Sequence, residues 1–420
     1  MAAASVRLWV ISDIYYPEDV STGYFMTRIA EGLASVTDVQ VLCGRPAYAA
    51  RHVRVARREH RNGTTITRLG LFALPKDRLA LRALNVIGFT VAVTLHLLFR
   101  LRRGDRILNV TNPPVVPPLV AALAKWRGAH FVLLVHDVFP ETAVAAGLLS
   151  RDSWLFRIAA AGANSAYKRA SAVVVLGRDM ARLAAVKRGC DSGIKIIENW
   201  ADLEEITPRQ AEQNPFLAER GWTDKYVVQL SGNLGRTHDI ETLAFAARGM
   251  TPDSPWRFLF AGFGGKQGVA EQAAGESSNC DYLDRQPRER LSELLAASTV
   301  HVIAFVPGML GLSVPSRMYN VMAAGRPIIA MADAETELAM TVIEEDIGWQ
   351  VNPGDSDGLI ALLNCIVPGD CQEKGTRART VAERRFGYDK VIARFIAVLG
   401  LGGGSVDCEA RGTCHAQHFP

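Results

Sequence analysis

Residues 308–331, GMLGLSVPSRMYNVMAAGRPIIAM, combine the groups needed to hold an anion. Gly308 and Gly311 permit close backbone approach. Ser313 is placed to cap a helix, and Pro315 suits its first turn, where no N–H is needed. Arg317 then lies in that turn, where free N–H groups and the positive end of the dipole also face a ligand. Ser316 and Asn320 are four apart and share one face. Gly325 and Pro327 end the helix. This chemistry suits a nucleotide diphosphate; the alternative is an ordinary loop, capped helix and strand. Two more glycine loops follow apolar runs. Ser231-Gly232-Asn233-Leu234-Gly235-Arg236-Thr237-His238 follows YVVQL, and Ala261-Gly262-Phe263-Gly264-Gly265-Lys266 follows WRFLF. Glycines beside an Arg, a His or a Lys suit phosphate contact.

A second group of residues lies earlier in the chain. His136 closes the apolar run HFVLLV beside Asp137, with Glu141 four residues on. A histidine and carboxylate at a strand end suit hydrogen bonding to a reacting group; a structural histidine is the alternative. After the first apolar run, Ser21-Thr22-Gly23 opens a helix. This resembles the start of a Rossmann unit without its GxGxxG fingerprint, or a plain strand–helix connection.

The elements that would position these residues alternate. RLWVIS, VQVLCG, TITRLGLF, RILNVT, HFVLLVH and AVVVLG read as strands with helices between them. Near-continuous apolar strands mean a parallel sheet covered on both faces. The pattern restarts with YVVQLSG, WRFLFAG, VHVIAFV and PIIAM, after the polar stretch ENWADLEEITPRQAEQNP. The expected fold is α/β, with two doubly wound Rossmann-like domains at 1–203 and 204–376. Residues 377–400 read as one helix that returns to the first domain, and 401–420 as a disordered tail. Two such domains aim their strand ends, and so their ligand sites, at one cleft.

Composition fits this plan. A chain of 420 residues, 49% apolar and 21% charged, can build two full cores. Seven scattered cysteines without a CxxC pair fit a reduced, cytoplasmic protein. Cys408, Cys414, His415 and His418 in the tail offer metal ligands, but a disordered end is the preferred reading. The first apolar run meets Asp13 too soon for a signal peptide. Asp355-Ser356-Asp357 matches a D-x-D metal clamp but follows the turn residues Asn352-Pro353-Gly354, so no metal is expected.

Charge is uneven. Residues 45–106 hold fourteen Lys/Arg and three acids. A basic segment suits nucleic acid or an anionic membrane. The aromatic interleaving of a single-strand binder is missing, so nucleic acid is set aside. Within the segment, residues 83–99 form an uncharged run of seventeen. That is short of the roughly 20 needed to span a bilayer. It reads either as a helix lying in a membrane surface, on a face of Leu84, Ile87, Val91, Leu95 and Leu98, or as a buried core helix.

Taken together, IYYPEDVSTGYFMTRIAEGLA, NPPVVPPLVAALA, HDVFPETAVAAGLL, IIENWAD, LSGNLGRTHDIETL and VPSRMYNVMAAGRPIIA resemble glycosyltransferase family 4, of GT-B fold. The chain is similar to the branch of bacterial O-antigen and capsule aminosugar transferases. The resemblance implies a retaining transfer of a hexose or aminosugar from a nucleotide-diphosphate sugar, most simply a UDP-sugar. The acceptor is then a hydroxyl of a glycan or lipid-linked glycan precursor, at the inner face of the cell membrane. No cofactor is implied beyond the donor itself. It places Ser21, Thr22 and Gly23 near the donor phosphates and His136 beside the sugar. Asp137 and Glu141 remain candidate carboxylates, although front-face attack is implied. Arg236, with Gly232, Asn233 and Gly262, takes the diphosphate. Arg285 and Gln286 lie where backbone grips the base. Ser313, Val314, Ser316 and Arg317 hold phosphate, and Asn320 faces the ribose. Family members carry Glu-x7-Glu here; this chain has Leu312 and Asn320. Two alternatives stay open: a GT-B nucleotide-sugar 2-epimerase, and a non-catalytic membrane-docked subunit.

Overall fold

The computed structural model describes residues 6–46, 50, 53–70, 79–211, 214–251 and 253–401. The Cys/His tail and residues 71–78 lie outside them.

The first sheet is built from β1 (Arg7–Ser12), β2 (Asp38–Cys43), β3 (Arg58–Arg61), β4 (Thr64–Arg68), β5 (Arg106–Val110), β6 (His130–Val135), β7 (Ala172–Val175) and β8 (Ile194–Ile196). Their order is β3-β4-β2-β1-β5-β6-β7-β8. All pairs are parallel except the edge hairpin β3–β4. Asn62 and Gly63 turn that hairpin at φ of 44° and 79°, the left-handed pair a two-residue turn requires. The helices are α1 (Ser21–Leu33), α2 (Leu79–Arg100), α3 (Val116–Arg127), α4 (Glu141–Ala145), α5 (Trp154–Arg169) and α6 (Arg178–Arg188).

The second sheet has the order β11-β10-β9-β12-β13-β14 and is wholly parallel. Its strands are β9 (Tyr226–Asn233), β10 (Trp256–Phe263), β11 (Cys280–Leu283), β12 (Val300–Ala304), β13 (Ile328–Met331) and β14 (Gly348–Val351). The short α7 (Pro215–Ala218) leads into it. The helices α8 (Ile240–Gly249), α9 (Gln267–Glu276), α10 (Leu291–Ala296), α11 (Arg317–Ala323), α12 (Glu337–Glu344) and α13 (Ser356–Cys365) cover it. In both sheets the chain reverses its direction of travel beside the first strand. That reversal opens the crevice where ligands bind in doubly wound folds.

The close of the chain departs from the single helix expected over 377–400. α14 (Pro368–Arg385) starts earlier and stops; α15 (Tyr388–Leu399) follows. Phe386 is buried against Tyr319, with ring centroids 4.9 Å apart, and Gly387 is extended at the N-cap of α15. A fixed aromatic next to a poor helix former breaks the helix. α15 then packs on α1 of the first domain, where Val391, Phe395 and Leu399 share a core with Ile29 and Leu33.

α2 is not the buried core helix that was one reading of residues 83–99. Phe89, Val93 and Leu97 enter the core. The face of Leu84, Ile87, Val91 and Leu95 points outward. Part of the basic segment is internal as well. Arg68 is 2% exposed and pairs with Glu59 at 2.9 Å, while Arg61 pairs with Glu31 at 2.8 Å.

Candidate active site

The glycine loops of the second domain interlock. Gly232, Gly262 and Gly264 have φ of 112°, 138° and 153°. A Cβ on Gly262 would fall 1.9 Å from the Gly232 carbonyl oxygen, and one on Gly264 would fall 2.5 Å from that of Leu234. Only glycine fits this approach. Arg317 lies alongside, 3.4 Å from where a Gly232 Cβ would stand. Its Nη2 donates to the Asn233 carbonyl at 2.9 Å and to His238 Nε2 at 3.0 Å. Its Nη1 is buried without a partner. Burial lowers the guanidinium to about 10, so it stays charged at neutral pH. No carboxylate pairs with it among the described residues.

His238 is the residue that sequence reasoning undervalued. Burial first, and then the Arg317 charge, push its imidazole well below the ordinary range. It is therefore neutral, and an Nε2 that accepts from Arg317 leaves the proton on Nδ1. Its carbonyl also accepts from Lys266 Nζ at 2.8 Å. Lys266 pairs with Glu241 at 2.8 Å too, so this loop cation is already engaged. Arg236 stays exposed on the first loop and carries no ion pair among the described residues.

The loop of residues 308–316 differs from expectation. α11 begins at Arg317, and Ser316 is its N-cap without a side-chain capping bond. Ser313 caps nothing. Its Oγ donates to the His136 carbonyl at 3.3 Å, and Ser313 forms an antiparallel bridge with Asp137. Next to it, Val138 N donates to the Leu312 carbonyl at 2.8 Å. Backbone pairing across the cleft has taken this stretch out of the helix. Leu312 and Val314 are buried at 5% and 4%; Val314 packs toward Gly177. Asp179 holds the same loop through Gly311 N at 3.1 Å. Ser316 Oγ meets Ser21 Oγ at 2.8 Å, joining the two domains. Arg317 and Asn320 are the half-buried residues of α11, whose other face is core, and the N-cap Ser316 is half-buried beside them.

His136 faces this loop from the first domain. It is 8% exposed, with Nε2 buried and unpartnered. Burial lowers its imidazole to about 4; the ring is neutral at pH 7. Burial raises the Asp137 carboxyl, opposed by a bond from Ser313. Glu141 does not join them. Its carboxylate pairs with the buried Lys187 at 2.6 Å and ties α4 to α6, a structural role. Gly23 is buried under the Glu18 carbonyl oxygen, 2.3 Å from where a Cβ would stand, and half-buried Thr22 precedes it in α1. Arg285 reaches across to Asp19, and Gln286 Nε2 donates to the Asp284 carbonyl at 3.0 Å. Asp355 caps α13 through Gly358 N at 2.8 Å, which accounts for the first acid of the D-x-D pattern.

Residues 22–200 match the family model described as Glycosyl transferase 4-like domain. The chain is 33% identical over 324 residues to "Probable glycosyltransferase WbjE" of Pseudomonas aeruginosa, covering 77% of this chain and 81% of that one. The chain belongs to glycosyltransferase family 4. It is also 25% identical to WcaI of Escherichia coli K12, named for colanic acid biosynthesis, over 93% of this chain and 99% of the relative. Among solved structures, Anabaena HepE in complex with UDP and glucose superposes at a TM-score of 0.69 with 14% identity, over 94% of this chain and 99% of that one. The fold is GT-B. In this family 4 glycosyltransferase, the ties across the cleft were absent from the sequence reading. Asp179 had a visible signal, since it follows the run AVVVLG by two residues, but its partner Gly311 lies 132 residues away.

Proposed function

We propose that this glycosyltransferase moves a hexose or aminosugar from a UDP-sugar to a hydroxyl of a glycan or lipid-linked glycan precursor, with retention and without a metal. The observation that carries the reading is Arg317: a buried guanidinium with a free Nη1 in a cradle that excludes side chains. Such a cation with no carboxylate partner suits a diphosphate. Arg236 adds a second charge from the loop after β9. As the C1–O bond to the diphosphate breaks, negative charge grows on the departing oxygen, and these two arginines stabilise it. The acceptor hydroxyl attacks C1 from the same face and gives its proton to that oxygen. Neutral His136 hydrogen-bonds the sugar while it carries oxocarbenium character. Ser21 and Ser316 bring the two domains together over the phosphates, and Asn320 meets the ribose. The outward face of α2 suits contact with an anionic membrane at the cytoplasmic side, where a lipid-linked acceptor would lie.

The test is calorimetric titration with UDP, with and without EDTA, on native and Arg317→Ala proteins. Metal-independent binding by the native protein and its loss in the variant are expected. UDP binding that needs magnesium, or that survives the substitution, would overturn the assignment.

A further inference from the structure

The outward face of α2 does not stand alone. α3 packs between α2 and α5, so the three helices form one layer on the first sheet. Each shows apolar side chains to solvent. On α2 these include Ile87, Leu95 and Phe99, the last 79% exposed. On α3 they are Leu119 and Trp126, and on α5 they are Trp154, Leu155 and Ile158. Trp126 and Trp154 are both 67% exposed. Single exposed apolar residues are ordinary, but a layer of them marks an interaction surface.

Charge identifies the partner. The three helices contain no Asp or Glu and seven Lys/Arg. Of the helices covering the second sheet, α8, α9, α10, α12 and α13 each carry at least one acid, and α11, which bears Arg317 and Asn320, carries none. Lys125, Lys168 and Arg169 line one groove between α3 and α5. None of these three, nor Arg100 or Arg157, pairs with a carboxylate among the described residues. Apolar side chains with interfacial tryptophans, unpaired cations and no acids match the surface of an anionic bilayer.

We infer that α2, α3 and α5 together form a platform that seats the first domain on an anionic lipid bilayer. This deepens the proposed membrane contact of α2 by adding the tryptophans and cations of α3 and α5. α3 follows β5 and α5 leads into the parallel strand β7, so their N-terminal ends lie on the cleft side of the sheet. Leu119, Trp154 and Ile158 therefore run from the cleft outward. A bilayer on this face brings lipid-linked chains to the cleft mouth.

The experiment uses the full chain and vesicles of phosphatidylcholine, with or without phosphatidylglycerol; it needs no donor and no transfer. Trp126 and Trp154 make native fluorescence a direct probe. Anionic vesicles should shift the emission to the blue, and the double variant Trp126→Phe, Trp154→Phe should abolish the shift. Co-sedimentation of Trp154→Glu, Ile158→Glu protein should fall at least about tenfold, with an unchanged Tm. Arg157→Glu with Lys168→Glu should lower binding to a similar extent, and raised salt should mimic it. If both α5 variants sediment like the native protein while Ile87→Glu, Leu95→Glu does not, α2 docks alone and the platform is wrong. Equal binding to neutral and anionic vesicles, or a self-associated species by analytical ultracentrifugation that Trp154→Glu dissolves, would also overturn it. A loss of UDP binding with intact vesicle binding would refute the donor assignment and leave the platform standing.

Discussion

The two domains share a doubly wound plan, the first adding strands at both edges, and differ in what they expose. The second domain turns its specialised chemistry inward to the cleft: three glycines with positive φ, an arginine with a buried Nη1 and a neutral histidine. Its outer helices are ordinary, with acids on each and isolated apolar residues such as Phe245 and Ile343. The first domain offers less at the cleft, chiefly His136 and Asp137, and much more on its outer layer. A shared topology fixes where ligands approach but not which face carries the work. On the proposed reading, the second domain binds the donor, and the first presents the acceptor and assists the sugar.

The strongest way to break this division is Arg317→Ala. It should lower kcat/KM by about a thousandfold, because the diphosphate is bound in the ground state and gains charge on leaving. UDP affinity should fall by roughly 10- to 100-fold, read by calorimetry. A variant with near-native kcat/KM would move the diphosphate elsewhere.

Acid should unfold the cleft side of the first domain. His136 has its imidazole lowered to about 4 by burial, below its ordinary value near 6.5. Between those values the unfolded chain takes up a proton that the folded chain refuses. Stability is therefore full above pH 6.5 and falls as the pH drops toward 4. The loss from this residue is roughly 3 kcal/mol. Urea melts at pH 7 and pH 4.5 would measure it, and His136→Gln should remove its share of the loss, leaving that of other buried histidines such as His238. A profile unchanged by that substitution would mean the ring is solvated.

His136→Ala sharpens the comparison directly. Turnover should drop about a hundredfold while UDP affinity stays within roughly twofold, since the contact matters as charge develops on the sugar. Equal losses in both would put His136 on the donor-binding side.

Asn320→Ala should weaken UDP by about 1 to 2 kcal/mol, the scale of one lost hydrogen bond. A 2′-deoxy nucleotide should bind native and variant alike if Asn320 meets that hydroxyl; additive losses would separate them. Smallest of all, Asp355→Asn and Asp357→Asn should leave transfer intact, because asparagine caps a helix about as well as aspartate. Activity that falls and returns with manganese would restore the metal clamp.

The alternation of apolar runs and helices made both sheets legible, because buried parallel strands leave little choice of pattern. The glycine loops were legible for the same reason: few residues tolerate positive φ. Other features depend on partners far along the chain. Arg317 and His238 are 79 residues apart, and nothing local announces their contact. Ser313 looks like a cap by spacing, yet its bridge to Asp137 draws it out of the helix. α2 is apolar on both faces, so periodicity did not choose which one entered the core. The break at Phe386 and Gly387 was readable, since the amphipathic period restarts at Tyr388, but charged residues through Arg385 blurred it.

The crossing of α15 has a bearing on how the molecule is made. The first domain's core takes in Val391, Phe395 and Leu399, residues that leave the ribosome after the whole second domain. Its strands emerge early, but α1 waits for its covering helix until the second sheet has been made. A fragment cut after the first sheet would show Ile29 and Leu33 to water. Dissecting this enzyme into halves would call for grafting the last helix onto the first half, not for a clean cut at the linker.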